Sequence, residues 1–123
     1  MGKGLAGGRE SVSAQPEPRV CYFHLVRGAK PTREDFLSHQ ARGIPPRRAD
    51  AARADLNRGV SLLDTLERAS HLRGLFPRLG WHAAKLEIPA GVRVEATLWE
   101  GHYTVWADPD DLLGWVVEVV PLP

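Results

Sequence analysis

The stretch Gly59–Ile88, GVSLLDTLERASHLRGLFPRLGWHAAKLEI, decides how the rest of the chain is read, because start signal, periodicity and stop signal agree within it. Asp64 and Glu67 stand three residues apart, the spacing at which two side chains cap a helix N-terminus reciprocally. Leu62, Leu66, Ala69 and Leu72 recur every three or four residues and give that helix one apolar face. Arg68 and Arg73 lie towards the negative end of the helix dipole, where cations are favoured. Gly74 suits the helix stop, and Pro77 keeps the helix from resuming. A strand is expected directly afterwards, from about Trp81 to Ile88, with His82, Ala84, Leu86 and Ile88 turned to the core.

Downstream, Pro89-Ala90-Gly91 turns the chain into Val92–Trp99, whose clean alternation makes it the expected hairpin partner of the preceding strand. His102–Ala107 follows as a third strand. Asp108 and Pro109 start a helix of about one turn, stopped by Gly114. Trp115–Val120 is a last strand, apolar throughout except for Glu118, which either faces outward on an edge or is a buried functional carboxylate. Upstream, Arg19–Arg27 is apolar on both alternating faces, as in a central strand. Thr32 and Asp35 cap a short helix that carries Phe36 and Leu37 and closes at Gly43. After Pro45-Pro46, Ala49–Asn57 reads as a short, poorly amphipathic helix or a lid-like loop. Residues 1–18 are rich in Gly, Ser and Pro and are expected to be a disordered tail. The expectation is therefore a tail, 1–18, and one α+β domain, 19–123. That domain has a mixed or mainly antiparallel sheet of about five strands and two or three helices.

Composition narrows the setting. The formal charge of +1 hides an asymmetry: residues 1–58 hold eleven Lys/Arg against six Asp/Glu, and residues 59–123 hold five against nine. Cys21 is the only cysteine, so no intrachain disulfide forms, which fits a reducing compartment. No apolar run approaches the ~20 residues that span a bilayer, and no signal-peptide core is visible, so a cytoplasmic protein without a membrane role is expected. The arginines of Arg42–Arg58 are not interleaved with aromatics, so no nucleic-acid stacking platform is indicated.

The commonest reaction signatures are missing. None of the five histidines forms a metal-binding spacing with another, Cys21 has no nearby ligand, and no metal is expected. Cys21 reads as a half-buried core residue. There is no nucleophile elbow, phosphate-binding loop or dinucleotide fingerprint. His24 is either a core histidine with one hydrogen bond or a ligand-binding histidine at a cleft. The densest set of functional groups is Glu100-Gly101-His102-Tyr103-Thr104-Val105-Trp106. It reads either as one wall of a small-molecule pocket or as an aromatic strand packed on the central helix.

The order of these elements carries a resemblance. A first strand with a titratable residue (His24 in CYFHLV) leads to a Thr-capped helix with DFLS, and Gly59-Val60-Ser61 opens onto DTLERA and a set of strands. This is similar to small ADP-ribosyltransferase-like domains of bacterial toxins and phage-encoded proteins. The resemblance implies binding of NAD, with His24 and Ser61 as the cofactor-contacting positions and Glu100, His102 or Glu118 as candidates for the catalytic third position. It also implies a toxin component held by a cognate protein partner or inhibitor. The alternative is a small non-enzymatic interaction domain that docks through Trp99–Trp106 or the arginine segment.

Overall fold

The computed structural model describes residues 19–46 and 48–123, with the side chains of residues 48–52 left aside. The expected tail, 1–18, lies outside the described residues. Strands β1 (Arg19–Val26), β2 (Val60–Leu63), β3 (His82–Pro89), β4 (Arg93–Ala96), β5 (His102–Trp106) and β6 (Val116–Pro121) form one sheet in the order β4-β5-β2-β1-β3-β6. Every neighbouring pair is antiparallel. The helices are α1 (Leu66–Leu75) and α2 (Pro109–Gly114), and 3-10 segments lie at Arg33–Phe36, Arg48–Arg58 and Pro77–Leu79. This is the α+β class expected, with one strand more.

The extra strand is β2, where the leucine spacing read as the start of a helix. Val60, Leu62 and Leu63 are buried, and β2 runs in unbroken register along β5 from Val60↔Val105 to Leu63↔His102. Sheet pairing and burial override the local spacing. The helix consequently starts later. Thr65 is its N-cap, its hydroxyl accepting from the Arg68 N–H at 3.1 Å, while Asp64 pairs with the Arg68 guanidinium at 2.9 Å. Gly74 lies inside the last turn, and the Phe76 N–H closes the helix on the Leu72 carbonyl at 2.9 Å. The expected hairpin between β3 and β4 does not form. Both edges of β3 are taken, by β1 and β6, and β4 pairs with β5 at the far side of the sheet.

The sheet is two three-stranded halves, β4-β5-β2 and β1-β3-β6, meeting at a thin seam. The β1–β3 ladder holds eight pairs, whereas β1 and β2 share the single pair Phe23↔Leu63. Packing closes the seam from both sides. On one face Val26, Phe36, Leu62, Leu86, Val105 and Leu112 form the main core beneath the Arg33–Phe36 turn and α2. The Thr32 N–H donates to the Asp35 carboxylate at 2.8 Å, so the expected cap pair holds, on a helix of one turn. On the other face Leu25, Leu63, Ala69, Ala83 and Leu122 pack with Phe23 and Leu72 under α1. Asp108 caps α2 through the Asp110 N–H at 2.9 Å with Pro109 in the first turn, as its sequence dictates.

β6 is an edge strand, and Glu118 is exposed on it, opposite Lys85. The register shifts between Lys85 and Leu86, and Pro121 ends the strand, so a bulge, a charge and a missing N–H all discourage further pairing. Cys21 is exposed on β1 rather than packed in the core, because the first part of that strand extends past its cover.

Phe36 is fully buried where the turn crosses the seam. Phe36→Ala is expected to cost about 3–5 kcal/mol in urea unfolding, while Val117→Thr on the exposed edge stays within about 0.5 kcal/mol of the parent. A Phe36→Ala variant as stable as the parent contradicts this core.

Candidate functional site

A residue on the central strand of a covered sheet is normally buried, yet Ser61 on β2 is exposed. Its neighbours Val60 and Leu62 point into the main core, so alternation turns Ser61 to the α1 face together with Leu63. α1 covers Leu63 through Ala69 and Leu72 and leaves Ser61 open. On the other side the Arg48–Arg58 segment is tied down over β4 and β5. Arg53 donates to Asp55 and, at 3.0 Å, to Glu95; Arg93 donates to Asp55 at 3.0 Å and to Glu95 at 2.9 Å. The Arg93 guanidinium stacks 3.7 Å from the Trp106 ring centroid, and the Trp106 indole N–H donates to the Asp55 carbonyl at 2.9 Å. Between this segment and α1, the sheet face is open over Ser61.

Register fixes what lies beside that hydroxyl. Thr104 stands opposite Ser61, and Glu95 stands opposite Thr104, giving one row across three strands; His102 is one row along, opposite Leu63. Gly59 makes the close approach possible, since a Cβ there falls 2.2 Å from the Thr104 methyl. His102 and Thr104 are buried. The His102 Nδ1 lies 3.2 Å from the Thr97 carbonyl, which can only accept; in the tautomer that bonds it, Nδ1 carries the proton and Nε2 the lone pair. The Thr97 hydroxyl links the two, 3.0 Å from His102 Nδ1 and 2.7 Å from the Thr104 hydroxyl. Burial pulls the His102 pKa below its ordinary value against the opposing carbonyl, favouring a neutral ring. The turn before it holds Leu98 and Gly101 at φ 64° and 81°, and the Trp99 ring sits 4.4 Å from His102.

His24 sits at the seam itself. Its Nδ1 is 2.7 Å from the Ser61 carbonyl and its Nε2 2.6 Å from the Asp35 carbonyl, and its ring stacks on Phe36 at 5.0 Å. Burial lowers its pKa, while the two carbonyls and the Asp35 charge pull upward and Arg42 pulls down. A neutral ring has one N–H and bonds one carbonyl at a time; the protonated ring bonds both. His24 thus holds the backbone of Ser61, but its ring faces the main core and the Ser61 hydroxyl faces α1.

The sequence candidates divide accordingly. Ser61 and His102 share one face of the sheet, Ser61 exposed on it and His102 buried in it, and His24 reaches the same strand from behind. Glu100 lies in the turn beyond the end of β2, almost fully exposed, 3.5 Å from the Arg68 guanidinium. Glu118 lies on the edge of the other half, with β3 and β1 between it and β2. Glu95 and Asp55 were missed, and Arg53, one of the basic segment's arginines, is paired with both. Arg93-x-Glu95 shows only as outward alternation, and its partner Asp55 is 38 residues away in sequence. The Asp55 carboxyl is held down to about 2 by Arg53 and then Arg93, and Glu95 is lowered by the same two arginines in the reverse order. Of the arginines in the basic segment, Arg42 is bonded to the Leu37 and Glu34 carbonyls. Arg58 is exposed and has no ion pair among the described residues. It lines a cleft of about 350 Å³ with Ile44, Pro45, Pro46 and Asn57.

Among the described residues no cluster of His, Cys, Asp and Glu is placed to hold a metal, and no helix is long and apolar enough to cross a membrane. Comparison with protein-family models, with curated proteins and with solved structures finds no match to this chain.

Folded pKa values below 6.5 for His24 and His102 mean that the unfolded chain binds these protons first as pH falls. Stability from these two rings is complete above pH 6.5 and declines from there towards their folded pKa values. The melting midpoint is expected to be level from pH 8 to 7 and lower at pH 5.5, with a smaller drop in His102→Gln. A midpoint that rises on acidification to pH 5.5 contradicts the sign.

Proposed function

We propose that this protein is an ADP-ribosyltransferase-like domain that takes NAD on the open sheet face over Ser61. The observation that carries the reading is the exposed hydroxyl of Ser61 on the central strand. It lies beside the His102–Thr97–Thr104 hydrogen-bonded set and at one of the two positions the resemblance assigns to NAD. Transfer from NAD breaks the bond between nicotinamide and ribose and develops positive charge on the ribose. The Ser61 hydroxyl is suited to hold a ribose hydroxyl, and the buried His102, through Thr97 and Thr104, fixes the strand opposite it, which holds the sugar for attack. Glu100, loosely held by Arg68 at the rim, has more freedom to meet that charge than Glu95, whose charge is already shared by two arginines. Arg58, with no ion pair among the described residues, offers a cation for the pyrophosphate. In this reading His24 acts as a positioning residue for the Ser61 strand, and Glu118 takes no part.

The second reading, a non-enzymatic interaction domain, draws on Leu98 and Trp99, which are 61% and 49% exposed at the tip beside His102. Thermal melting separates the two. NAD at a hundred times its dissociation constant adds about 2.7 kcal/mol, which at this size raises the midpoint by roughly 10 °C. Ser61→Phe, which fills an exposed position, is expected to stay folded and lose that rise. No shift at millimolar NAD removes the NAD reading and leaves the interaction domain.

A further inference from the structure

The far end of α1 presents a different surface. Leu75, Phe76, Leu79 and Trp81 are 60%, 51%, 44% and 56% exposed, four large apolar side chains within seven residues. Isolated exposed apolar residues are ordinary, but a contiguous group on a rigid support marks a docking surface. The support here is rigid. Phe76 N–H closes α1, Leu79 N–H bonds the Phe76 carbonyl at 3.0 Å, and Gly80 lies flat against the end of β1. A Cβ on Gly80 falls 2.1 Å from the Val26 carbonyl, at a φ of 131°. Arg73 braces Trp81 from one side, 3.7 Å from its ring centroid, and donates to the Pro123 carbonyl.

The segment that carries this group is basic, with Glu118 opposite Lys85 and the Asp35 carboxylate at the Arg27 backbone as the acidic groups beside it. From Ala69 to Leu86 the chain carries Arg73, Arg78 and Lys85 and no Asp or Glu. Lys85 stands opposite Glu118 in the ladder, and Arg73 is spent on Trp81 and Pro123. Arg78, in the middle of the apolar group, is exposed with no ion pair among the described residues, and the exposed Arg27 follows the strand end against which Gly80 packs. Trp, Phe and Arg are the residue types that anchor protein interfaces.

We infer that the Leu75–Trp81 surface docks an acidic segment of a partner protein, whose apolar side chains meet Phe76 and Trp81 while its carboxylates meet Arg78 and Arg27. A twofold copy of the same surface brings Arg78 against Arg78, which disfavours self-association through it. Anionic membranes are held by clusters of about four to eight basic residues, more than this surface offers. The surface is independent of the NAD reading, since it lies at the opposite end of α1 from Asp64 and Gly101.

The test places the photo-cross-linking residue p-benzoylphenylalanine at Leu79 in the full chain, in the cells that make it, and identifies the attached peptide by mass spectrometry. The expected product is a peptide of another protein with net negative charge. Its yield falls at least tenfold in Arg78→Glu, with circular dichroism confirming that this variant is folded. Adducts with lipid, with a second copy of this chain or with a peptide of no net negative charge overturn the inference. So does a yield unchanged by Arg78→Glu, or one no greater than from the same cross-linker placed at exposed Glu118.

Discussion

A single backbone pairing, Phe23 with Leu63, joins the two halves of this sheet, and most of the structure follows from how that thin seam is held. Buried backbone carbonyls need donors, and where the ladder between β1 and β2 gives out a side chain supplies one. The His24 imidazole stands between the Ser61 carbonyl across the seam and the Asp35 carbonyl above it, and its neutral ring donates to one of them at a time. Phe36 and Leu112 close one face and α1 the other. Cover on the α1 face stops short of Ser61, which leaves a hydroxyl open in the middle of the sheet.

Charge does on the neighbouring wall what apolar burial does elsewhere. The Arg48–Arg58 segment is mostly Ala, Arg and Asp, with little to bury, and its 3-10 geometry breaks at Arg53. Its anchors onto β4 and β5 are the Arg53, Asp55, Arg93 and Glu95 ring of ion pairs and the Trp106 bond to the Asp55 carbonyl, and Asn57 bonds Ile44 and Gln40. Exposed pairs of this kind are individually weak and screened by salt, but four charges sharing partners hold better than separate pairs. The wall is therefore the part of the fold most sensitive to ionic strength.

Much of the fold was legible where local chemistry and tertiary context agree. Asp108-Pro109 announced α2, the alternation of Val92–Trp99 and His102–Ala107 announced two strands, and Arg19–Arg27 read as central because β1 is central. β2 was hidden because four residues are too few to show a period, and Leu62 happens to fall in helical phase with Leu66 and Ala69. The β3–β4 hairpin misled because adjacency in sequence usually means adjacency in the sheet, and here β1 and β6 already occupy both edges of β3. At the site, His102 was visible as a polar residue in a strand and Ser61 was named only by the resemblance, but nothing local says that Glu118 sits on the opposite half or that Asp55 closes onto Arg93. The exposed hydroxyl is a property of what fails to cover it, which no spacing records.

The claim on which the functional reading stands is that the open face over Ser61 receives NAD. The most direct test is a ¹⁵N–¹H NMR titration of the folded domain with NAD, following the backbone amides strand by strand. Shifts concentrated at Val60–Leu63 and His102–Val105, with Arg58 and Glu100 at their margin, are the predicted result. Shifts confined to the Leu75–Trp81 end, or none at millimolar NAD, contradict it.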